Sequence, residues 1–140
     1  MKKLNCILLI DDNPHTNIFN KKLIQKIGLT DQVFVAENGK QGMDFLTNQG
    51  RFTDNGKNYP KPDLIFLDIN MPVMDGWDFL KQYQKLTPEQ KGKILIIMLT
   101  TSPNPDDEEK ARSIQEVTGF KRKPVTMTML KEITEEFFLD

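Results

Sequence analysis

Leu64-Ile65-Phe66-Leu67-Asp68 is four apolar residues in a row closed by one carboxylate, and how this stretch is read decides the rest. Its apolar residues do not alternate with polar ones. A continuous run of this length reads as a strand covered on both faces, the pattern of a parallel sheet sandwiched between helices. The same grammar recurs on either side of it. Ile7-Leu8-Leu9-Ile10 runs into Asp11-Asp12, and Ile94 to Leu99 runs into Thr100-Thr101. Lys123-Pro124 is a fourth punctuation, following a strand expected over Gly119 to Arg122, and Val33-Phe34-Val35-Ala36 supplies another, short strand.

Helical patterns lie between the strands. Asn13 can cap a first helix with Pro14 in its first turn, where a missing N–H costs nothing; Ile18, Phe19, Leu23, Ile24 and Ile27 are expected on its inner face, and Gly28 ends it. A second helix is expected over Gly39 to Leu46, with Met43 and Leu46 inward. Thr47 to Pro62, rich in Gly, Asn, Lys and Pro, reads as a long surface loop. Met71-Pro72-Val73-Met74-Asp75-Gly76 turns the chain into a third helix carrying Trp77, Leu80 and Tyr83. Asn104 and Pro105 open a fourth, whose Asp106-Asp107-Glu108-Glu109 complements the helix dipole and needs no functional reading. A last helix spans about Thr126 to Phe138, with Met127, Leu130, Ile133, Phe137 and Phe138 as its apolar positions.

Five alternating βα units predict an open, doubly wound α/β fold with a five-stranded parallel sheet, and right-handed crossovers put every βα loop at one edge. With strand order 2-1-3-4-5, the switch point lies between the first and third strands, where Asp11, Asp12 and Asp68 would meet. A chain of 140 residues is expected to form one domain, burying roughly two thirds of its unfolded surface. A net charge of −1 gives no reason to expect nucleic acid or an anionic membrane as the main partner. The apolar residues before Asp11 are too few for a signal or membrane segment, so a cytoplasmic location is expected. The single cysteine, Cys6, reads as a small buried hydrophobe.

Three clustered carboxylates repel one another unless a cation joins them. Oxygen donors without a Cys/His set select a hard ion, so Mg²⁺ is expected, held by Asp12 and Asp68 directly, by Asp11 through water and by a main-chain carbonyl beyond Asp68. Asp68 is the best-placed nucleophile for a phosphorus centre, with Lys123 and Thr100 to stabilise the oxygens of the transferring group. Taken singly, each residue has a plain reading as cap, strand former or solvated lysine. Four strand ends that each carry what a phosphoryl site needs argue jointly against the plain readings.

In these motifs, Asp11-Asp12, Leu67-Asp68-Ile69-Asn70-Met71-Pro72 with Met74-Asp75-Gly76, Leu99-Thr100-Thr101-Ser102 and Lys123-Pro124, the chain resembles the receiver domain of two-component response regulators over essentially its whole length. The likeness is strongest to single-domain, chemotaxis-regulator-like (CheY-like, flavodoxin-like) forms, and it implies the 2-1-3-4-5 order and a single receiver domain over residues 1–140 without an output domain. It also implies roles. Asp68 is the phosphoacceptor, Asp11 and Asp12 the acidic metal pair, and Asn70 a metal ligand through its backbone carbonyl. Thr100 is the switch hydroxyl, Lys123 the phosphate-binding lysine and Phe120 the aromatic that turns inward with Thr100. Asn70 and Ser102 tune hydrolysis of the acyl phosphate. Mg²⁺, with Mn²⁺ as a substitute, is the implied cofactor. The implied phosphodonor is a sensor histidine kinase. The implied outlet is an effector protein, a histidine phosphotransfer domain, or a homodimer through the face of the fourth helix, fifth strand and fifth helix.

Three departures stand out. Thr101 replaces the family's usual Ala or Gly, the Thr100-to-Lys123 spacing is one residue longer than in the chemotaxis prototype, which predicts a displaced loop at Val117-Thr118, and the Thr47 to Pro62 loop is long. That loop resembles stand-alone regulators that include partners of bacterial phytochrome kinases. Two other function classes fit less well. A phosphorylation-independent pseudo-receiver would be expected to have lost Asp68, Lys123 or the acidic pair, and an aspartate-nucleophile hydrolase would carry a second acid where Asn70 stands.

Overall fold

The computed structural model describes residues 3–52, 59–101 and 104–138. Along the chain run β1 (Ile7–Ile10), α1 (Pro14–Lys26), β2 (Val33–Ala36), α2 (Gly39–Thr47), a 3₁₀ turn (Gly50–Phe52), β3 (Leu64–Asp68), α3 (Gly76–Gln84), α4 (Pro88–Lys91), β4 (Leu95–Thr100), α5 (Pro105–Arg112), β5 (Val117–Arg122) and α6 (Met127–Phe137). All strand pairs are parallel, in the order β2-β1-β3-β4-β5. Alternate strand residues feed two cores. Leu8, Ile10, Ile65, Leu67, Ile96 and Met98 pack with Phe45, Phe79, Leu80 and Ala111 from α2, α3 and α5. Ile7, Leu9, Leu64, Phe66, Ile97 and Leu99 pack with Ile24 of α1 and with Leu130 and Ile133 of α6. Burial on both faces is why the strands read as unbroken apolar runs.

Capping follows the sequence closely. The Asn13 side chain accepts from the N–H groups of His15 and Thr16, Asn104 accepts from Asp106, and Pro14 and Pro105 sit in the first turns. Gly28, just past α1, takes φ +70°, which a side chain would strain.

The inner face of α1 differs from the expected one. Ile18 and Phe19 are each 54% exposed, whereas Asn17, Asn20 and Ile24 are buried. Their spacing of three and four residues is the true inner stripe. Asn17 satisfies half of its amide there by donating from Nδ2 to the Asp11 carbonyl at 2.9 Å, so a polar residue takes a position that hydropathy assigns to an apolar one. In α6, Leu130 and Ile133 are buried as expected, but Met127 and Phe137 are exposed.

Three further differences concern element limits. The helix α4 was not expected, although Thr87-Pro88-Glu89-Gln90 carries its signal. Thr87 Oγ1 accepts from Gln90 N–H at 3.2 Å and Gln90 Oε1 accepts from Thr87 N–H at 2.9 Å, a reciprocal capping box with Pro88 in the first turn. The strand β5 starts at Val117, two residues before Gly119. Its pairing jumps from Ile96–Val117 to Ile97–Gly119, so Thr118 is a bulge. The additional residue expected to displace a loop is absorbed inside the strand. Finally, the described ends of the Thr47 to Pro62 stretch are not plain surface loop. Phe52 is buried, and its ring meets Phe45 and Tyr59 nearly edge-on at centroid distances of 5.0 and 5.3 Å, while Tyr59 meets Phe34 at 5.4 Å.

Candidate functional site

Asp11 directly follows β1, and its N–H donates to the Ala36 carbonyl at 3.0 Å, carrying the parallel ladder one residue further. That bond fixes a carboxylate at the sheet edge. One of its oxygens accepts from Asn13 N–H at 2.9 Å and the other from Lys123 Nζ at 2.7 Å. Asp11 is 4% exposed, and Asp12 beside it is exposed. Asp68 closes the central strand, 8% exposed, with Oδ1 at 3.0 Å from the same Lys123 ammonium. Oxygens of Asp11, Asp12 and Asp68 all lie within 4.8 Å of one another.

The turn after Asp68 is held by close backbone contacts. Gly76 N–H donates to the Ile69 carbonyl at 2.8 Å, and a Cβ on Gly76 would lie 2.6 Å from the Asp68 carbonyl oxygen, so only glycine admits this approach. Gly39 N–H donates to the Met74 carbonyl at 2.8 Å and ties the start of α2 to the same turn. Asn70 is exposed on this turn, two residues past Asp68.

On the other side, Thr100 ends β4, buried, one residue beyond the Leu99 that pairs with Asp68. Its carbonyl accepts from Lys123 N–H at 2.7 Å, which fixes where the lysine leaves β5. The Lys123–Pro124 peptide is cis. Phe120 pairs with Met98, is half-buried and packs against the core on the α2, α3 and α5 face. Thr101 is exposed and, with His15, Phe19 and Lys123, borders a cavity of about 390 Å³. Trp77 lies on α3 with Lys110 Nζ of α5 over its ring at 4.5 Å, in keeping with a packing role. Ser102 lies outside the described residues.

The electrostatics follow from crowding. Burial, and then the neighbouring Asp11 charge, push the Asp68 carboxyl above its ordinary pKa despite the attraction of Lys123. Burial works against the Lys123 ammonium, but the hydrogen bonds and charges of Asp11 and Asp68 outweigh it and hold its pKa above the usual value. Three carboxylates against one ammonium leave an excess of negative charge in a partly dry site. The donors are all oxygen, with no histidine or cysteine in the group, so the residues present fit a hard divalent cation.

Seven of the eight expected positions are therefore described, and Asp11, Asp12, Asp68 and Lys123 form one cluster with Thr100 adjoining through its backbone. Sequence reading passed over Asn17, whose amide anchors the Asp11 backbone. Its only sequence signal is a polar residue at helical spacing within an apolar stripe.

Comparison with known proteins gives consistent results. Residues 7–135 match the family described as "Response regulator receiver domain". Response regulator Rcp1 of Synechocystis is 33% identical over 101 residues, 72% of this chain and 65% of Rcp1, so the match spans just under two thirds of that protein. A solved two-component response regulator from Cytophaga hutchinsonii superposes with a TM-score of 0.81 at 24% identity, covering 96% of this chain and 97% of that one. The bacteriophytochrome response regulator AtBRR gives 0.78 at 25% identity, covering 96% and 93%. The Mn²⁺-bound form of Rcp1 gives 0.74 at 26% identity, covering 97% and 95%.

Proposed function

The chain belongs to the response regulator receiver domain family of two-component signalling, and from that premise we propose that it accepts a phosphoryl group on Asp68 from the phosphohistidine of a sensor kinase. The observation that carries this reading is the meeting of three carboxylates within 4.8 Å with Lys123 bound to two of them. In the step itself an Asp68 carboxylate oxygen attacks phosphorus, and the phosphorus–nitrogen bond breaks. The leaving imidazole nitrogen keeps the electron pair and takes up a proton.

Lys123 lies within reach of Asp68 Oδ1 and would move from carboxylate to phosphoryl oxygen as the acyl phosphate forms. Thr100 would offer its hydroxyl to another oxygen. Asp11 is the residue least free to move, because its backbone is tied to Ala36 and Asn17 and its side chain to Asn13 and Lys123. Asp11, Asp12 and Asp68, with the Asn70 carbonyl, would hold a divalent cation, Mg²⁺ or Mn²⁺, which when bound supplies positive charge to the phosphoryl oxygens. Phe120, on the strand that carries Lys123, would relay a shift of Thr100 to the surface of α5, β5 and α6. Asn70, exposed beside the acceptor, and Ser102 would set how fast water removes the phosphate.

The outlet is then a protein partner, a histidine phosphotransfer domain or a second copy through the α5-β5-α6 face. The likeness to the bacteriophytochrome response regulator AtBRR supports a phytochrome-type kinase as the donor. Incubation with Mg²⁺ and acetyl phosphate should add one phosphate, read as an intact-mass shift, and Asp68→Asn should abolish it. Equal labelling of that variant would sink the assignment, as would no labelling of wild type under conditions that label a control receiver.

A further inference from the structure

Among the described residues one buried side-chain atom lacks a hydrogen-bond partner, the enclosed Oδ1 of Asn17. Burying an unmet acceptor is costly, and an apolar residue at this place on the inner stripe of α1 would carry no such cost. What the amide does in return lies at its other end. Nδ2 donates to the Asp11 carbonyl at 2.9 Å, from a helix turn held by the Asn17 N–H on the Asn13 carbonyl at 3.1 Å. That Asp11 carbonyl belongs to the peptide unit joining Asp11 to Asp12, whose atoms turn together as one plane.

The two acids depend on that plane unequally. Asp11 has other holds, since its N–H donates to the Ala36 carbonyl and its carboxylate accepts from Asn13 N–H and Lys123 Nζ. Asp12 has none of these. It is exposed, and among the described residues no side chain or backbone N–H bonds its carboxylate, although one of its oxygens lies within 4.8 Å of oxygens of Asp11 and Asp68. The start of the Asp12 backbone is therefore placed by the peptide plane that Asn17 holds. We infer that Asn17 is a positioning residue for the cation site: it fixes the Asp11–Asp12 peptide and so sets where Asp12 presents its carboxylate to the ion, a role that rests on the metal-dependent reading of the cluster. Without the amide, that plane is free to turn, and binding must first order the Asp12 carboxylate. Asn17 itself touches no ion.

A double-mutant cycle tests this, with Mn²⁺ titrated into the full chain and free Mn²⁺ read by its electron paramagnetic resonance signal. Wild type, Asn17→Leu, Asp12→Asn and the double variant form the cycle. Asn17→Leu should weaken Mn²⁺ binding about tenfold. In the Asp12→Asn background the same change should have almost no effect, because the carboxylate that Asn17 places is gone. Stability moves separately. Asn17→Leu exchanges one unmet acceptor, Oδ1, for another, the Asp11 carbonyl, so its melting temperature without metal should stay near that of wild type. Ile24→Val, buried on the same stripe, should lower the melting temperature and leave Mn²⁺ affinity unchanged. Asn17→Ala takes the place of the leucine variant in the cycle if that chain does not fold. The inference is overturned if the Asn17 variant binds Mn²⁺ as wild type does, if its effect is the same with and without the Asp12 carboxylate, or if Ile24→Val weakens binding as much. A wild type that binds no Mn²⁺ would instead bring down the metal reading of the cluster, and this role with it.

Discussion

Val73 holds φ at +69° in the turn after β3, 79% exposed, while Met74 N–H donates to the Pro72 carbonyl at 2.7 Å across it. A β-branched residue in the left-handed region is strained, and no burial of its side chain offsets the cost. Val73→Gly should therefore raise stability by about 1 kcal/mol, measured by urea unfolding, and a loss of stability would show that the valine packs better than its exposure implies. Cys6 is the opposite case, a residue whose surroundings remove its chemistry. Burial, reinforced by the Asp63 charge, pushes its thiol up to about 12, so the reading of Cys6 as a small hydrophobe holds.

At the scale of elements, α4 is a single capped turn whose attachment to the sheet runs through Lys91. Its ammonium lies 3.2 Å from Glu116 Oε2, just before β5, and Gln84 at the end of α3 donates to the other oxygen at 3.2 Å. Partial burial works against the Glu116 carboxylate, but Gln84, its own backbone N–H and Lys91 outweigh it and hold its pKa below the ordinary 4.5. A depressed carboxyl stabilises the fold above the unfolded pKa and loses that contribution as pH falls through the folded one. Glu116→Gln should cost about 1 kcal/mol at neutral pH, and the difference from wild type should vanish in acid below 4.5. A difference independent of pH would mean the side chain acts by packing alone.

For the molecule as a whole, the crowded site is a liability until its charge is met. The Asp68 pKa is raised from 3.8, so its contribution is fully present below that pH and is lost as pH rises through the higher folded value. Metal-free protein should thus melt higher as Asp68→Asn than as wild type at neutral pH. Saturating Mg²⁺ should raise the melting temperature of wild type more than that of the variant. A variant that melts lower without metal, or a wild type indifferent to Mg²⁺, would contradict this electrostatic account.

The strands β1, β2 and β3, the caps Asn13 and Asn104, and the set Asp11, Asp12, Asp68, Thr100 and Lys123 were legible in the chain itself. Unbroken apolar runs and strand-end residues are local signals. What the tertiary structure alone decided rests on partners distant in sequence. Asn17 is buried because the Asp11 carbonyl waits for its amide, which leaves Ile18 and Phe19 outside against the hydropathy pattern. Thr118 bulges because β5 must keep register with β4, and Phe52 and Tyr59 close over Phe34 and Phe45. Hydropathy records what each residue prefers; only the packed fold records whether a hydrogen bond or a neighbouring ring is there to outweigh that preference.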